Sequence, residues 1–276
     1  MRLVTYSASG KSGVGARRGD EIVATGYADM LDLIRDGERG LEQASRAVES
    51  GEPVQGARLE APLRPGKILC SGINYASHKD ENPDATMPVE PFFFSKLPSA
   101  VVGPGAPIVI PRPTTLTDYE VELALVVGRT VRRVPAERAL DHVFGWTILN
   151  DVSARDVQFK DLQITLGKNP DTFAPLGPEI VTADELGDPA ALRVSTTLNG
   201  DTMQDAPTSE MLFPPARLLE FLSDLITLEP GDVVTTGTPA GVGCFRDPPV
   251  YLQPGDEITV SVDRIGNLTN PVEAGW

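Results

Sequence analysis

The run from Asp118 to Val127, DYEVELALVV, constrains the fold of this chain more tightly than any other segment. Read as a strand, it alternates between two faces. Tyr119, Val121, Leu123, Leu125 and Val127 share one face, and Glu120, Glu122, Ala124 and Val126 share the other. Both faces become apolar toward the end of the run, as in a strand covered on both sides. Two glutamates beside such a region repel each other and are costly to desolvate unless something neutralises them. A hard divalent cation does so through carboxylate oxygens. The competing reading is a strand end at which both glutamates meet water, and the pair alone leaves the two readings open.

The rest of the chain favours strands as well. Its 26 glycines and 25 prolines are spread along 276 residues, which suits a turn-rich, strand-rich α+β fold better than a helical bundle. That length accommodates one large domain, or a large and a small one. The stretch RLVTYSAS, a turn around Gly13 and Gly15, and EIVAT read as a hairpin. Two short helices follow, one through Met30, Leu31 and Ile34 to Gly37, the other through Leu41, Ala44 and Val48 to Gly51. Pro53, Pro62, Pro65 and Gly66 then mark a linker, giving a small N-terminal α+β domain over 1–60 and a second domain over 66–276. Strands are expected at KILCSG, PFFFSK, PIVIP, GWTILND, PEIVTA, RVSTTLNG, DVVTTG and EITVSV, with a hairpin turn at Asn199-Gly200. A helix is expected from Pro215 to Ile226, packing Leu218, Leu219, Leu222, Leu225 and Ile226 into the core.

The net charge of −15, from 24 basic and 39 acidic residues with no basic cluster larger than a pair, excludes nucleic acid and anionic lipid as partners. Cys70 and Cys244 lie far apart without CxxC spacing and read as buried, reduced thiols. No apolar leader or bilayer-length run is present, so a cytoplasmic protein without membrane contact is expected.

A third carboxylate tilts the glutamate pair toward metal. GWTILND ends a strand at Asn150-Asp151, and Ser153 suits the cap of a helix through Arg155 and Gln158. Three acidic groups without histidine or cysteine favour Mg²⁺ or Mn²⁺ over zinc. Asp156 is an alternative ligand, although its place in a first helical turn suits the helix dipole. His78 lies in GINYASHKDE with Glu81 three residues on, on the same face of a helix. Such a pair is either a general base oriented by a carboxylate or an ordinary surface pair. His142, at the end of a short helix, reads as structural. Lys168 stands in a loop, within reach of an anionic substrate or solvated, and the loop TTGTPAGVG offers N–H groups and hydroxyls suited to a carboxylate.

Taken in order, GINYASH, FFFSK, DYEVELALVVG, NDVSARDVQ, GK…DTFAPLGP, LNG…Q, TLEPGD and TTGTPAGVG resemble the fumarylacetoacetate hydrolase family from Lys67 to Trp276. The resemblance implies a mixed β-roll catalytic domain, a homodimer and, in many smaller bacterial members, a small N-terminal domain. It assigns Mg²⁺ or Mn²⁺ to Glu120, Glu122 and Asp151, a water-activating dyad on a lid to His78 and Glu81, and substrate contacts to Arg155, Gln158, Lys168 and Thr238. Three departures stand out. Ser71 takes the approximate place of a further acidic ligand, Leu97 follows Lys96 where proline is usual, and Asn169-Pro170 follows Lys168. The implied activity is hydrolysis of a C–C bond in an acylpyruvate-type 2,4-dioxo acid, a small 2-oxo acid, through a metal-stabilised enolate. Isomerisation or decarboxylation by the same route is the alternative, and a non-catalytic oxo-acid-binding module is the rival from another class.

Overall fold

The N-terminal residues form a meander of β1 (Arg2–Ala8), β2 (Lys11–Arg18) and β3 (Glu21–Ala24) in the computed structural model, which describes residues 1–82, 86–160 and 163–275. Trp276, the end of the expected second domain, lies outside the described residues. The expected two-stranded hairpin is thus three strands. Gly13 and Gly15 lie inside β2, and the chain reverses at Ser9 and Gly10, both at positive φ. Packing explains the difference. A Cβ on Gly15 would fall 2.4 Å from the Ile22 side chain and one on Gly13 would fall 3.2 Å from the Tyr6 hydroxyl, so these glycines make room for bulky neighbours across the strands.

Next come α1 (Met30–Asp36), whose first turn is capped by the Asp29 carboxylate accepting from the Leu31 N–H, and α2 (Glu38–Ser50). Gly37 and Gly51 end them, as the periodicity predicts. The chain continues through β4 (Arg58–Glu60), β5 (Ile68–Ser71), α3 (Ala76–Glu81), β6 (Phe93–Lys96), β7 (Val101–Val102), β8 (Ile108–Ile110), β9 (Thr117–Asp118) and β10 (Val121–Val127). After α4 (Ala136–Ala139) come β11 (Val143–Asn150), β12 (Ser153–Ala154), α5 (Arg155–Gln158), α6 (Thr165–Lys168), β13 (Ala174–Thr182) and α7 (Ala183–Leu186). Ser153 is not the expected cap. It sits in β12 and its hydroxyl donates to the Asp151 carbonyl.

The last third holds β14 (Arg193–Leu198), β15 (Asp201–Pro207), α8 (Pro215–Leu225), β16 (Val233–Thr235), β17 (Glu257–Val262) and β18 (Gly266–Ala274). Asn199 and Gly200 join β14 to β15 with φ of 52° and 92°, the conformation an Asn-Gly turn favours. In α8, Leu218, Leu219 and Leu222 are buried as expected, but Leu225 is 75% exposed and Ile226 38%. The helix stops at Leu225 and Ile226 is extended, so the apolar stripe leaves the core one turn early.

Among the described residues, eleven strands form one sheet ordered β3-β2-β1-β13-β11-β10-β16-β5-β6, with β4 on β1 and β7 on β13. A second sheet runs β15-β14-β17-β18-β8. The first sheet is mixed, because β5 runs parallel to β16 while β10 is antiparallel to both of its neighbours. β10 is covered on both sides, as its sequence requires. Val121, Leu123, Leu125 and Val127 pack with Val194, Val260 and Leu268 of the second sheet and Leu219 of α8. Ala124 and Val126 pack toward Leu3, Leu33 and Ile34 of the N-terminal segment. That segment also continues the large sheet, since β1 pairs antiparallel with β13.

Candidate active site

Strand direction gathers the carboxylates. β10 begins where the antiparallel β11 ends, with Val121 opposite Asn150, and the Asp151 N–H donates to the Glu120 carbonyl at 2.9 Å. Glu120, Glu122 and Asp151 therefore meet at one end of the sheet, each at most 5% exposed. Their ligating oxygens lie within 4.8 Å of one another, a group that could hold a metal ion. β5 and β16 end at the same place. Beyond β16, the Gly237 N–H donates to Glu122 at 2.9 Å; beyond β5, the chain turns into α3 with His78 and Glu81.

Most of the buried charge is already paired. The Lys168 ammonium bridges Glu120 and Asp151 at 2.8 and 2.7 Å. Arg155 donates to Glu120 at 2.6 Å, to Asp118 at 2.9 Å and to the Gln158 amide oxygen at 2.9 Å. Lys96 donates to the other Asp151 oxygen at 2.6 Å. These groups comprise four carboxylates and three cations, and Glu122 has no cationic partner among them. Burial, then Asp151 and Glu120, push the Glu122 carboxyl well above the usual range. Burial acts the same way on Glu120, but Lys168 and Arg155 outweigh it and hold that carboxyl below the usual range. A divalent cation fits this donor set: hard oxygens, a charge deficit at Glu122, and a second lone pair on each paired oxygen.

His78 and Glu81 are brought together. His78 Nδ1 lies 2.6 Å from one Glu81 oxygen, and the other accepts from the Gly241 N–H at 2.7 Å. A carboxylate only accepts, so Nδ1 carries the hydrogen, which in a neutral imidazole leaves the lone pair on Nε2. His78, Glu120, Glu122, Arg155, Gln158, Lys168 and Thr238 line one cavity of about 300 Å³, and Phe92, Phe94, Phe159, Phe245, Ile73 and Ile164 supply its apolar walls. Ser71 lines it too. A larger cleft of about 880 Å³ between β2 and β18 contains none of these groups.

Several expectations need correction. Lys168 does not stand in a solvated loop; it ends α6 and is 2% exposed, beneath the carboxylates. Asp156 is not a ligand, because it accepts from the Thr114 hydroxyl and the Thr115 N–H. In the Thr236–Gly241 loop the Gly237 and Gly241 N–H groups serve the protein's own carboxylates, Glu122 and Glu81, while those of Thr236 and Ala240 donate to the Leu123 carbonyl and the Ser77 hydroxyl. Sequence reasoning also passed over Lys96, Asp118 and Gln204. Gln204 donates to the Thr238 hydroxyl and the Pro239 carbonyl and accepts from the Val121 N–H, which ties the loop to β10. A lysine closing the aromatic strand PFFFSK was a signal for Lys96, and the glutamine of LNG…Q, part of the resemblance, was one for Gln204.

A family model described as fumarylacetoacetate (FAA) hydrolase C-terminal matches residues 67–273. The chain belongs to the fumarylacetoacetate hydrolase family. It is 40% identical to the mitochondrial oxaloacetate tautomerase fahd2 of Xenopus laevis over 99% of this chain and 90% of that one. The fumarylacetoacetate hydrolase of psychrophilic Exiguobacterium antarcticum matches at 38% identity and a TM-score of 0.90, with both chains fully covered. A maleylpyruvate hydrolase from Sphingobium sp., solved with manganese(II) and pyruvate, matches at 33% identity and a TM-score of 0.85, again over both whole chains. The protein is an enzyme of this family with its strand-rich α+β fold. Among the described residues no helix is long and apolar enough to cross a membrane.

Proposed function

We propose that this enzyme hydrolyses the C–C bond of a short acylpyruvate, with Mg²⁺ or Mn²⁺ held by Glu120, Glu122 and Asp151. The observation that carries the reading is His78, oriented by Glu81, lining the same small cavity as Glu120 and Glu122, whose ligating oxygens lie within 4.8 Å of that of Asp151. A divalent cation there would supply positive charge for the 2-oxo carboxylate end of the substrate and for the charge that develops on it. The manganese and pyruvate in the Sphingobium hydrolase support that end of the assignment.

The remaining roles belong to this chain's residues. Glu81, fixed by Gly241, holds the imidazole so that Nε2 takes a proton from water. The resulting hydroxide attacks the distal carbonyl, and the C–C bond breaks with its electron pair going to the pyruvate fragment, which is then protonated. Gln158 and Lys168 orient the polar end, while Arg155 acts through Glu120 and Gln158 as a positioning residue. Thr238, whose hydroxyl accepts from Gln204, is the group we assign to the substrate carboxylate. Phe92, Phe159, Phe245 and Ile164 suit an apolar acyl group and exclude bulk water. All these residues fall within 66–276, which we take as the catalytic domain, with 1–60 as its appendage.

A second reading, keto–enol interconversion of oxaloacetate, is favoured by the Xenopus relative. Here His78 would move a proton from C3 and no water would be consumed. The deciding assay gives one purified, Mn²⁺-loaded sample acetylpyruvate and enol-oxaloacetate in parallel. Pyruvate and acetate formed faster than the oxaloacetate tautomers equilibrate support hydrolysis. Intact acetylpyruvate beside fast tautomer exchange replaces it with the second reading, and activity that survives EDTA overturns both.

A further inference from the structure

Each carboxylate of the triad has an oxygen tied to a donor other than Lys168. Asp151 Oδ1 accepts from Lys96, Glu120 Oε1 from Arg155 and Glu122 Oε2 from the Gly237 N–H. The opposing oxygens, Asp151 Oδ2 and Glu120 Oε2, share the Lys168 ammonium, and both therefore face a common point. Lys96 is the most rigidly held of these donors. It is 1% exposed, and its three N–H bonds go to Asp151 Oδ1 and to the carbonyls of Val152 and Lys168. An ammonium has three hydrogens, so Lys96 is saturated and cannot swing away without orphaning three acceptors.

We propose that Lys96 sets the cation preference of the triad, by restricting Asp151 to a single ligating oxygen and so selecting Mg²⁺ and Mn²⁺ over Ca²⁺. This rests on the metal assignment above. Ca²⁺ takes 6–8 oxygens at 2.3–2.6 Å and accepts carboxylates through both oxygens, whereas Mg²⁺ requires six at about 2.0–2.1 Å and near-octahedral angles. A carboxylate that chelates with both oxygens spans too small an angle for the octahedral ion and adds the extra oxygen the larger ion uses. Asp151 Oδ1 is engaged by an ammonium with all three hydrogens committed. Oδ2 faces the point shared with Glu120 Oε2, and its Lys168 donor has one hydrogen bond fewer to hold it there, so Asp151 offers the cation Oδ2 alone. Three such ligands leave the remaining positions to a chelating 2-oxo acid and water. Removing Lys96 frees Oδ1 and adds a negative charge. The added charge strengthens binding of every divalent ion in parallel; the freed oxygen favours only the larger one.

The test is metal binding by titration calorimetry on the full chain, without substrate, for the wild type, Lys96→Met and Lys96→Gln. Wild type is expected to prefer Mn²⁺ to Ca²⁺, and Lys96→Met to shift that affinity ratio toward Ca²⁺ by at least about tenfold. Lys96→Gln keeps one donor to Oδ1 and is expected to shift it less, and it carries the test if Lys96→Met does not fold. A ratio within about twofold of wild type in a folded variant overturns the proposal, because a merely structural lysine would weaken all ions together. Wild type that binds no divalent ion would instead overturn the metal assignment itself, a distinguishable outcome.

Discussion

At the scale of single residues, the site's energetics turn on Glu122. It is 1% exposed, it accepts from the Gly237 N–H, and two other carboxylates lie beside it. Glu122→Gln should therefore abolish Mn²⁺ binding yet raise the stability of the EDTA-treated protein by about 1–2 kcal/mol, read as a higher melting temperature. The sign with pH follows from its raised carboxyl: wild type loses stability as pH rises from the usual glutamate range through the folded value, and the variant does not. The gap should widen with pH, and a constant gap would refute the cause. His78→Ala should leave Mn²⁺ binding intact and lower turnover by about 10²–10⁴-fold, the worth of a general base. The pairs Glu120 with Glu122 and His78 with Glu81 were legible in the chain because their residues stand two or three apart along a strand or helix, and Asp151 because it closes a strand. Lys96, Asp118 and Gln204 were less so, because their roles come from partners 37 to 83 residues away, as with Arg155 for Asp118, Asp151 for Lys96 and Val121 for Gln204, and no local period marks them.

At the scale of elements, the two helices that bring Gln158 and Lys168 together depend on one close approach. A Cβ on Gly167 would fall 2.6 Å from the backbone nitrogen and Cα of Gln158, so α6 can lie against α5 only with glycine there. Gly167→Ala should push α6 outward, move Lys168 off Glu120 and Asp151, and reduce turnover more than a distant core substitution of equal stability cost. Turnover that simply tracks the melting temperature would count against this. Helix α8 offers a contrast. Leu222→Ala should cost about 2–5 kcal/mol, whereas Leu225→Ser, at an exposed position, should change stability by no more than about 0.5 kcal/mol, as chemical denaturation would show. Periodicity predicted both leucines to be core because 3.6-residue spacing continues to Ile226. The helix itself ends at Leu225, a fact of tertiary packing that the spacing does not carry.

At the scale of the whole molecule, the alternation of β10 announced a strand enclosed on two sides, and the two sheets with the N-terminal helices supply that enclosure. The order of its neighbours was not legible, because nothing local in DVVTTG or KILCSG states that β16 lies between β10 and β5. That order has a consequence in time. The dyad at residues 78–81 is held by the loop around Gly241, and the glutamates at 120–122 by strands starting at 143 and 233, so distant stretches must meet before any cavity exists. Pairings over such separations form slowly. On dilution from urea, the environment of Trp146 in β11 should become native before catalysis returns, and a chain cut short before β16 should hold much of its secondary structure and no activity.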